Sequence, residues 1–253
     1  MSSASKGILK FGNTSFCYER NSPFIKEISF SVDDSECIGL LGANGSGKST
    51  ILKLASGLLK PSSGYVNLWN KPVSTYRNRD RAKLLSYLPQ LLDINIPFTV
   101  KELVGMGRYP YDILPALTVD DALEMVGLED KAGALITHLS GGERRRVYIA
   151  MTLLQGAGIL LLDEPLANLD IKYQIELIRL LNKLVNKRGI TVVMALHEIN
   201  IALQFDRLIL IKDGDIIGYG APDTVMTEGS IREAFDVDVE IKREGAGKAY
   251  IKY

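Results

Sequence analysis

Nine consecutive residues, GANGSGKST at Gly42, Ala43, Asn44, Gly45, Ser46, Gly47, Lys48, Ser49 and Thr50, fit the pattern G-x-x-x-x-G-K-[ST]. An apolar run, ECIGLLG, leads into them, and a helix-compatible stretch follows, which is the context the pattern requires. Its glycines let successive backbone N–H groups turn inward as an anion nest. The helix start adds partial positive charge. Lys48 can then reach the β- and γ-phosphates of a nucleotide, and the Ser49 hydroxyl can ligate Mg²⁺. A chance match in a glycine-rich turn is the alternative, and the strand-before, helix-after setting argues against it.

A second set of reactive groups ends an all-apolar run, ILLLDEP at 159–165. Strand alternation points Asp163 and Glu164 to opposite faces, so they cannot share one job. Ligands of open α/β sheets sit outside the carboxyl ends of the strands. Asp163 is placed to hold Mg²⁺ through water, and Glu164 to orient and deprotonate an attacking water. Without the cradle the pair reads equally well as a turn. His197 ends another apolar run, ITVVMAL. Alone it reads as a hydrogen-bonded structural histidine; beside the same sheet edge it can contact the γ-phosphate or hold the lytic water. Gln90, after SYLP, offers a neutral amide able to touch both metal and water, and by itself reads as a loop residue. His138 reads as structural.

The third set is HLSGGERRRV at 138–147. Ser140 with Glu143 three residues on is a capping box, and the apolar Val147–Met151 stretch suits a buried helix. Yet the first helical positions are Gly141 and Gly142. Glycine costs about 1 kcal/mol relative to alanine inside a helix. A chemical explanation fits better than packing: something must approach that backbone closely.

The elements that must position these groups follow from periodicity and turn residues. Residues 8–16, 24–32 and 36–42 read as strands separated by Asn-Ser-Pro and Asp-Asp-Ser turns. Helix is expected at 48–56, strands at 64–69 and 84–89, and helices at 99–107, 118–127 and 140–155. The apolar strands 158–164 and 190–196 belong to a sheet buried on both faces. Helix 173–187 places Ile175, Ile178, Leu181 and Val185 at helical spacing. An Asp-Gly hairpin spans 207–220, and a short helical stretch and a Gly-Ala-Gly hairpin follow. The alternation of strand and helix predicts an α/β fold with a substantially parallel sheet, and the helical run in the middle an inserted subdomain.

The 253 residues carry 30 basic and 30 acidic side chains. No global field favours nucleic acid or anionic lipid. No apolar run is long enough to span a bilayer. The opening MSSASKGILKFGN lacks the apolar core of a signal peptide, and Cys17 and Cys37 have neither metal-ligand spacing nor a disulfide framework. A reducing, cytoplasmic setting with two inert packing cysteines is expected.

Taken together, the cradle, Gln90, LSGGE at 139–143, LLLDE and His197, in that order, resemble the ATP-binding cassette (ABC) ATPase family over roughly residues 8–227. The resemblance implies a P-loop ATPase core of residues 1–90 and 156–253 with an N-terminal antiparallel β subdomain. It also implies a helical signature subdomain at 91–155. ATP and Mg²⁺ are the implied cofactors. Glu164, His197 and Gln90 would be catalytic, and Ser49, Gln90 and Asp163 would serve the metal. Ser140, Gly141 and Gly142 would form a second anion nest, capping the γ-phosphate of ATP held by a second copy of the chain. One cradle and one signature per chain then imply a head-to-tail dimer with two ATPs at its interface. Tyr18 in FCY would stack on adenine, and Asp170 in PLANLD would reach across the dimer. Leu166 and Ala167 stand where Thr-Ser is common, so hydroxyl contacts from there are missing. Arg145 replaces the usual glutamine, and the run Arg144-Arg145-Arg146 reads as mainly a solvated helix face. The run Arg77-Asn78-Arg79-Asp80-Arg81 likewise reads as solvated surface charge.

YLPQ, TVKELVGMGRYPY and LHEINIAL resemble the importers of iron chelates, haem or cobalamin more than other ABC classes. The implied partners are polytopic permease subunits, coupled through residues 91–139 with Gln90 as hinge, and indirectly an extracytoplasmic substrate-binding protein. No nucleic-acid partner is implied, and the expected location is the cytoplasmic face of the membrane, peripherally bound. Two alternatives stay open: a non-transport ABC ATPase acting on DNA or ribosomes, and a regulatory ATPase subunit. The first usually brings coiled-coil insertions, zinc sites or paired cassettes, and none is visible here.

Overall fold

A computed structural model describes residues 7–19, 22–90, 97–113, 116–244 and 248–252. Asn21 of the expected Asn-Ser-Pro turn, residues 91–96 of the expected insertion and the Gly-Ala-Gly turn at 245–247 lie outside the described residues. The chain forms two compact units, Met1–Thr75 with Val193–Tyr253, and Tyr76–Val192.

The first unit begins with long β-rich runs, β1 (Leu9–Glu19) and β2 (Ser22–Val32), paired antiparallel. Phe11 stacks on Phe30 between them, centroids 4.4 Å apart. β3 (Cys37–Leu41) is buried at every position and leads through the glycine-rich loop to α1 (Lys48–Ala55). β4 (Ser63–Leu68) returns against β1, and the two-residue β5 (Lys71–Pro72) completes a four-stranded antiparallel sheet, β2-β1-β4-β5. This is the antiparallel subdomain the resemblance implied.

The second unit holds α2 (Asn78–Leu84), β6 (Leu85–Leu88), α3 (Val100–Gly105), α4 (Val119–Glu124), α5 (Gly141–Leu154), β7 (Ile159–Asp163) and α6 (Ile171–Arg188). β6 and β7 pair in parallel from Leu85↔Ile159 to Leu88↔Leu162. The core gathers on β7, buried along its whole length, and on the inner residues of α5, among them Val147, Tyr148 and Leu154. α3 and α4 begin with full capping boxes, at Thr99 and Thr118. α6 ends at Gly189 in the left-handed region, as a helix C-terminus favours. Its buried stripe is Leu177, Ile178, Leu181, Leu184 and Val185, whereas Ile175 is exposed. The expected stripe was therefore placed correctly at three of four positions. α2 was not expected as a helix: it buries no residue, so its sequence carries no apolar stripe to read.

β8 (Thr191–Leu196) returns the chain to the first unit and is fully buried. α7 (Ile199–Ala202) follows, then β9 (Arg207–Lys212) and β10 (Asp215–Gly220) as an antiparallel hairpin, with β9 parallel to β3. α8 (Pro222–Val225), α9 (Glu228–Phe235) and the paired strands β11 (Glu240–Glu244) and β12 (Lys248–Lys252) close the described chain. Cys37 is buried, and burial, then Asp206 and Glu36, push its thiol up to about 12. It is a packing residue, as expected.

The β9–β10 turn bears on the phosphate loop. Asp213 and Gly214 both have positive φ, 47° and 82°, as a two-residue type I′ turn requires. Gly214 N–H donates to the Ser46 carbonyl at 3.0 Å, and Lys26 N–H donates to the Gly214 carbonyl at 3.0 Å. A Cβ on Gly214 would collide with the Phe24 carbonyl. Gly214→Ala is expected to cost about 2–3 kcal/mol of stability, through both strain and collision. Denaturant unfolding checks this, and an unchanged midpoint would contradict it.

Candidate functional site

The loop between β3 and α1 is shaped by close approach. Gly47 is the N-cap of α1 with φ 115°, and no side chain caps the helix. A Cβ there would sit 2.7 Å from Ile25 Cδ1, and one on Gly42 would sit 2.7 Å from Ser46 Oγ. Glycine at both positions lets the loop backbone pack this closely around the start of α1. Lys48 is buried, and its ammonium donates to the carbonyls of Gly42 at 2.7 Å and Ala43 at 3.0 Å. The buried Ser46 hydroxyl has no hydrogen-bond partner among the described residues. A glycine-shaped loop at a helix start, a buried ammonium and an unsatisfied hydroxyl suit a polyphosphate. Tyr18 is 57% exposed. Its hydroxyl shares a 2.9 Å hydrogen bond with Thr50 Oγ1, and its ring packs edgewise on Phe16 and Phe24. His197 is exposed just past the end of β8.

In the second unit, β7 delivers Asp163 to a buried position, where the Tyr87 hydroxyl donates to its Oδ2 at 3.2 Å. The strand stops there. Glu164 was expected to continue the alternation, but its φ is +47°, in the left-handed region. Such a backbone in a non-glycine residue costs about 1–3 kcal/mol. Gln90 Nε2 donates to Glu164 Oε2 at 2.7 Å, so two residues 74 positions apart meet. Ser49 and Asp163 supply a hydroxyl and a carboxylate oxygen, hard donors of the kind Mg²⁺ takes.

Arg145 overturns the expectation of a solvated face. Arg144 is exposed, but Arg145 and Arg146 are each 7% exposed. One Arg145 Nη donates to the carbonyls of Pro89 at 2.8 Å and Gln90 at 3.0 Å. The other donates to those of Asp163 at 2.6 Å and Glu164 at 2.8 Å. Its Nε lies 3.4 Å from the Pro165 carbonyl. Burial pulls this guanidinium below its ordinary value, while Asp163 and Glu164 pull it back up; arginine remains charged regardless. Arg146 donates to the carbonyls of Val126 and Gly127, both at 2.8 Å, and lies 3.8 Å over the Tyr173 ring. A positive triplet at one helix end reads as solvated because burying a charge is costly. Here carbonyls turned inward from neighbouring turns offset that cost, and no local pattern announces them.

Ser140 caps α5 as expected. Its Oγ accepts from Glu143 N–H at 3.2 Å, while the Glu143 carboxylate accepts from Ser140 N–H at 2.9 Å. The Ser140 N–H first, then the Ser140 hydroxyl, which also donates to this carboxylate at 2.9 Å, hold the Glu143 carboxyl below the usual range. The two glycines differ. A Cβ on Gly142 would lie 3.1 Å from the Asn168 carbonyl, whereas one on Gly141 would meet nothing within 4 Å. Packing within the described chain therefore gives no reason for glycine at 141.

Residues 25–167 match the family model described as ABC transporter. The chain belongs to the ABC transporter family. It is 40% identical, over 86% of this chain and 83% of that one, to the petrobactin import ATP-binding protein FpuC of Bacillus anthracis. It is 36% identical, over 86% and 88%, to the hemin import ATP-binding protein HmuV of Bordetella avium. A dimeric ATP-binding cassette solved in a post-hydrolysis state with ADP and Pi superposes with a TM-score of 0.76. That match covers 85% of this chain and 98% of that one at 28% identity. The fold is the ABC ATPase fold, and the chain is an ABC ATPase.

Within this cassette the cradle, Tyr18 and His197 fall in the first unit; Gln90, Ser140–Gly142, Asp163, Glu164 and Asp170 fall in the second. Asp170 is the exposed N-cap of α6 and makes no side-chain cap bond. Leu166, in place of the common threonine, is buried, 4% exposed. Tyr87 and Arg145 were not singled out as site residues. Tyr87 alternates along β6 toward the sheet edge and was legible; Arg145 was not. Gly141→Ala should stabilise the isolated cassette by up to about 1 kcal/mol, because alanine favours the helix and meets no obstacle. Thermal unfolding without nucleotide checks this; a destabilised variant would show that glycine serves packing.

Proposed function

We propose that this cassette is the ATP-hydrolysing subunit of an importer of a metal chelate such as a siderophore, haem or a cobalamin-like molecule. Its 40% and 36% identical relatives are named for petrobactin and hemin import. It works as a dimer of cassettes beneath polytopic permease subunits, peripherally bound at the cytoplasmic face of the membrane. No helix among the described residues is long and apolar enough to cross a membrane. An extracytoplasmic binding protein delivers cargo to the permease.

The observation that carries the reading is the 40% identity to the petrobactin import ATP-binding protein over 86% of this chain; Gly141, where a Cβ would meet nothing within 4 Å, leaves room for a shared pocket. Gly42–Thr50 grips the phosphates of ATP, Tyr18 stacks on the adenine, and Ser140, Gly141 and Gly142 of a second copy cap the γ-phosphate. Ser49, Gln90 and Asp163 would hold Mg²⁺, which when bound neutralises charge on the β- and γ-oxygens. Glu164 takes the proton from a water whose oxygen attacks the γ-phosphorus as the bond to the β-phosphate oxygen breaks. Gln90, already bonded to Glu164, aims that carboxylate, and His197 contacts the γ-phosphate. Asp170 reaches across the dimer. Closure on ATP and reopening after hydrolysis drive the permease.

Lys48→Ala should abolish ATP binding or turnover, measured as phosphate release; full turnover would refute the cradle. Glu164→Gln should slow hydrolysis by about 10²-fold or more while still dimerising with ATP, read by sedimentation. A Glu164→Gln chain that stays monomeric with ATP bound would count against the shared pocket.

A further inference from the structure

We propose that Arg145 is a positioning residue for hydrolysis, fixing the register between the Gln90 segment and the Asp163–Glu164 strand end and so the aim of Glu164. This rests on the hydrolytic reading of Glu164 given above.

The geometry is that of a two-sided clamp. One nitrogen of the guanidinium holds the carbonyls of Pro89 and Gln90, and the other holds those of Asp163 and Glu164. The two segments lie more than 70 residues apart in sequence, and one rigid plane sets the distance between them. Only arginine carries donors in a fixed fork. A lysine has its three donors on one atom and cannot face both segments at once.

The clamp reaches the chemistry indirectly. Arg145 is 7% exposed and directed at backbone, so it acts through others rather than on a bound nucleotide. Gln90 is held by its carbonyl, and its side chain meets Glu164 at 2.7 Å. Glu164 is also held by its carbonyl, at the one point where the strand leaves extended geometry, φ +47°. A small slip between the segments would therefore be felt first as a lost Gln90–Glu164 bond. The neighbouring Arg146 is the internal comparison. It is equally buried and also holds two carbonyls, but those of Val126 and Gly127, in the turn after α4. It anchors the helix without touching either segment.

The test uses the full chain and reads kcat, KM for ATP and thermal midpoint in Arg145→Lys, with Arg146→Lys as comparator. Arg145→Lys should lower kcat by about tenfold or more while KM stays within about threefold. Its midpoint should fall no further than that of Arg146→Lys, whose kcat should hold within about threefold. In a Gln90→Ala background, Arg145→Lys should cost less than about threefold more, since both changes then break one linkage. Arg145→Lys keeping its kcat, or losses that multiply with Gln90→Ala, would overturn the proposal. If Arg145→Lys does not fold, Arg145→Gln carries the same comparison, with the fork reduced to one donor nitrogen and the charge removed. Wild-type chain without turnover would instead overturn the ATPase reading beneath it; wild-type turnover abolished by Glu164→Gln but untouched in Arg145→Lys would sink the clamp alone.

Discussion

A backbone N–H can hold a phosphate oxygen only if no side chain stands in front of it. On the proposed reading that constraint accounts for glycine at the starts of α1 and α5. At α1 the N-cap is Gly47, left-handed and without a side-chain cap. At α5 the opening pair is Gly141-Gly142, and there the lost helix propensity is offset by the Ser140–Glu143 capping box. The first loop is braced from behind by β2 and the β9–β10 turn through Ile25, Lys26 and Gly214. The second faces open space at Gly141. On the proposed reading this open side takes a phosphate presented by another copy, as would suit a family whose solved members include a nucleotide-bound dimer.

α5 links that open end to the rest of its unit. Its first turn begins with Gly141 and Gly142, after the Ser140 cap. Its second turn turns two guanidinium groups inward, one to the ends of β6 and β7 and one to the turn after α4. Its later turns are apolar and buried. A displacement of the signature glycines is thus mechanically connected, through about one helical turn of rigid backbone, to the residues on either side of the Gln90–Glu164 bond. Hydrogen bonds from a charged donor contribute about 1.5–3 kcal/mol each, enough to hold a left-handed glutamate in place.

Much of this was legible in the residues. The buried strands β3, β7 and β8 were visible as continuous apolar runs, the β9–β10 turn as Asp-Gly, and the α5 start as Ser-x-x-Glu, because each is set by neighbours within a few positions. What escaped depends on distant partners. Arg145 and Arg146 look like surface charge until the carbonyls of residues 89–90, 126–127 and 163–165 arrive around them. Glu164 looks like one more strand residue until its left-handed backbone is seen. Ile175 has helical spacing but falls outside the buried stripe, and α2 has no stripe at all. Of the catalytic reading, the sequence pattern supplied the residue types, while the pairing of Gln90 with Glu164 required the fold.

The central claim is that the cradle of one chain and the signature of another clamp the same ATP. It is tested most directly by mixing two defective chains, Lys48→Ala and Gly142→Asp. Each alone lacks half of every pocket and should be inactive. In a head-to-tail heterodimer the intact cradle of one meets the intact signature of the other, so the mixture should regain ATP hydrolysis that neither chain shows alone. A mixture as inactive as its components, with both chains folded, would mean that cradle and signature serve their own chain.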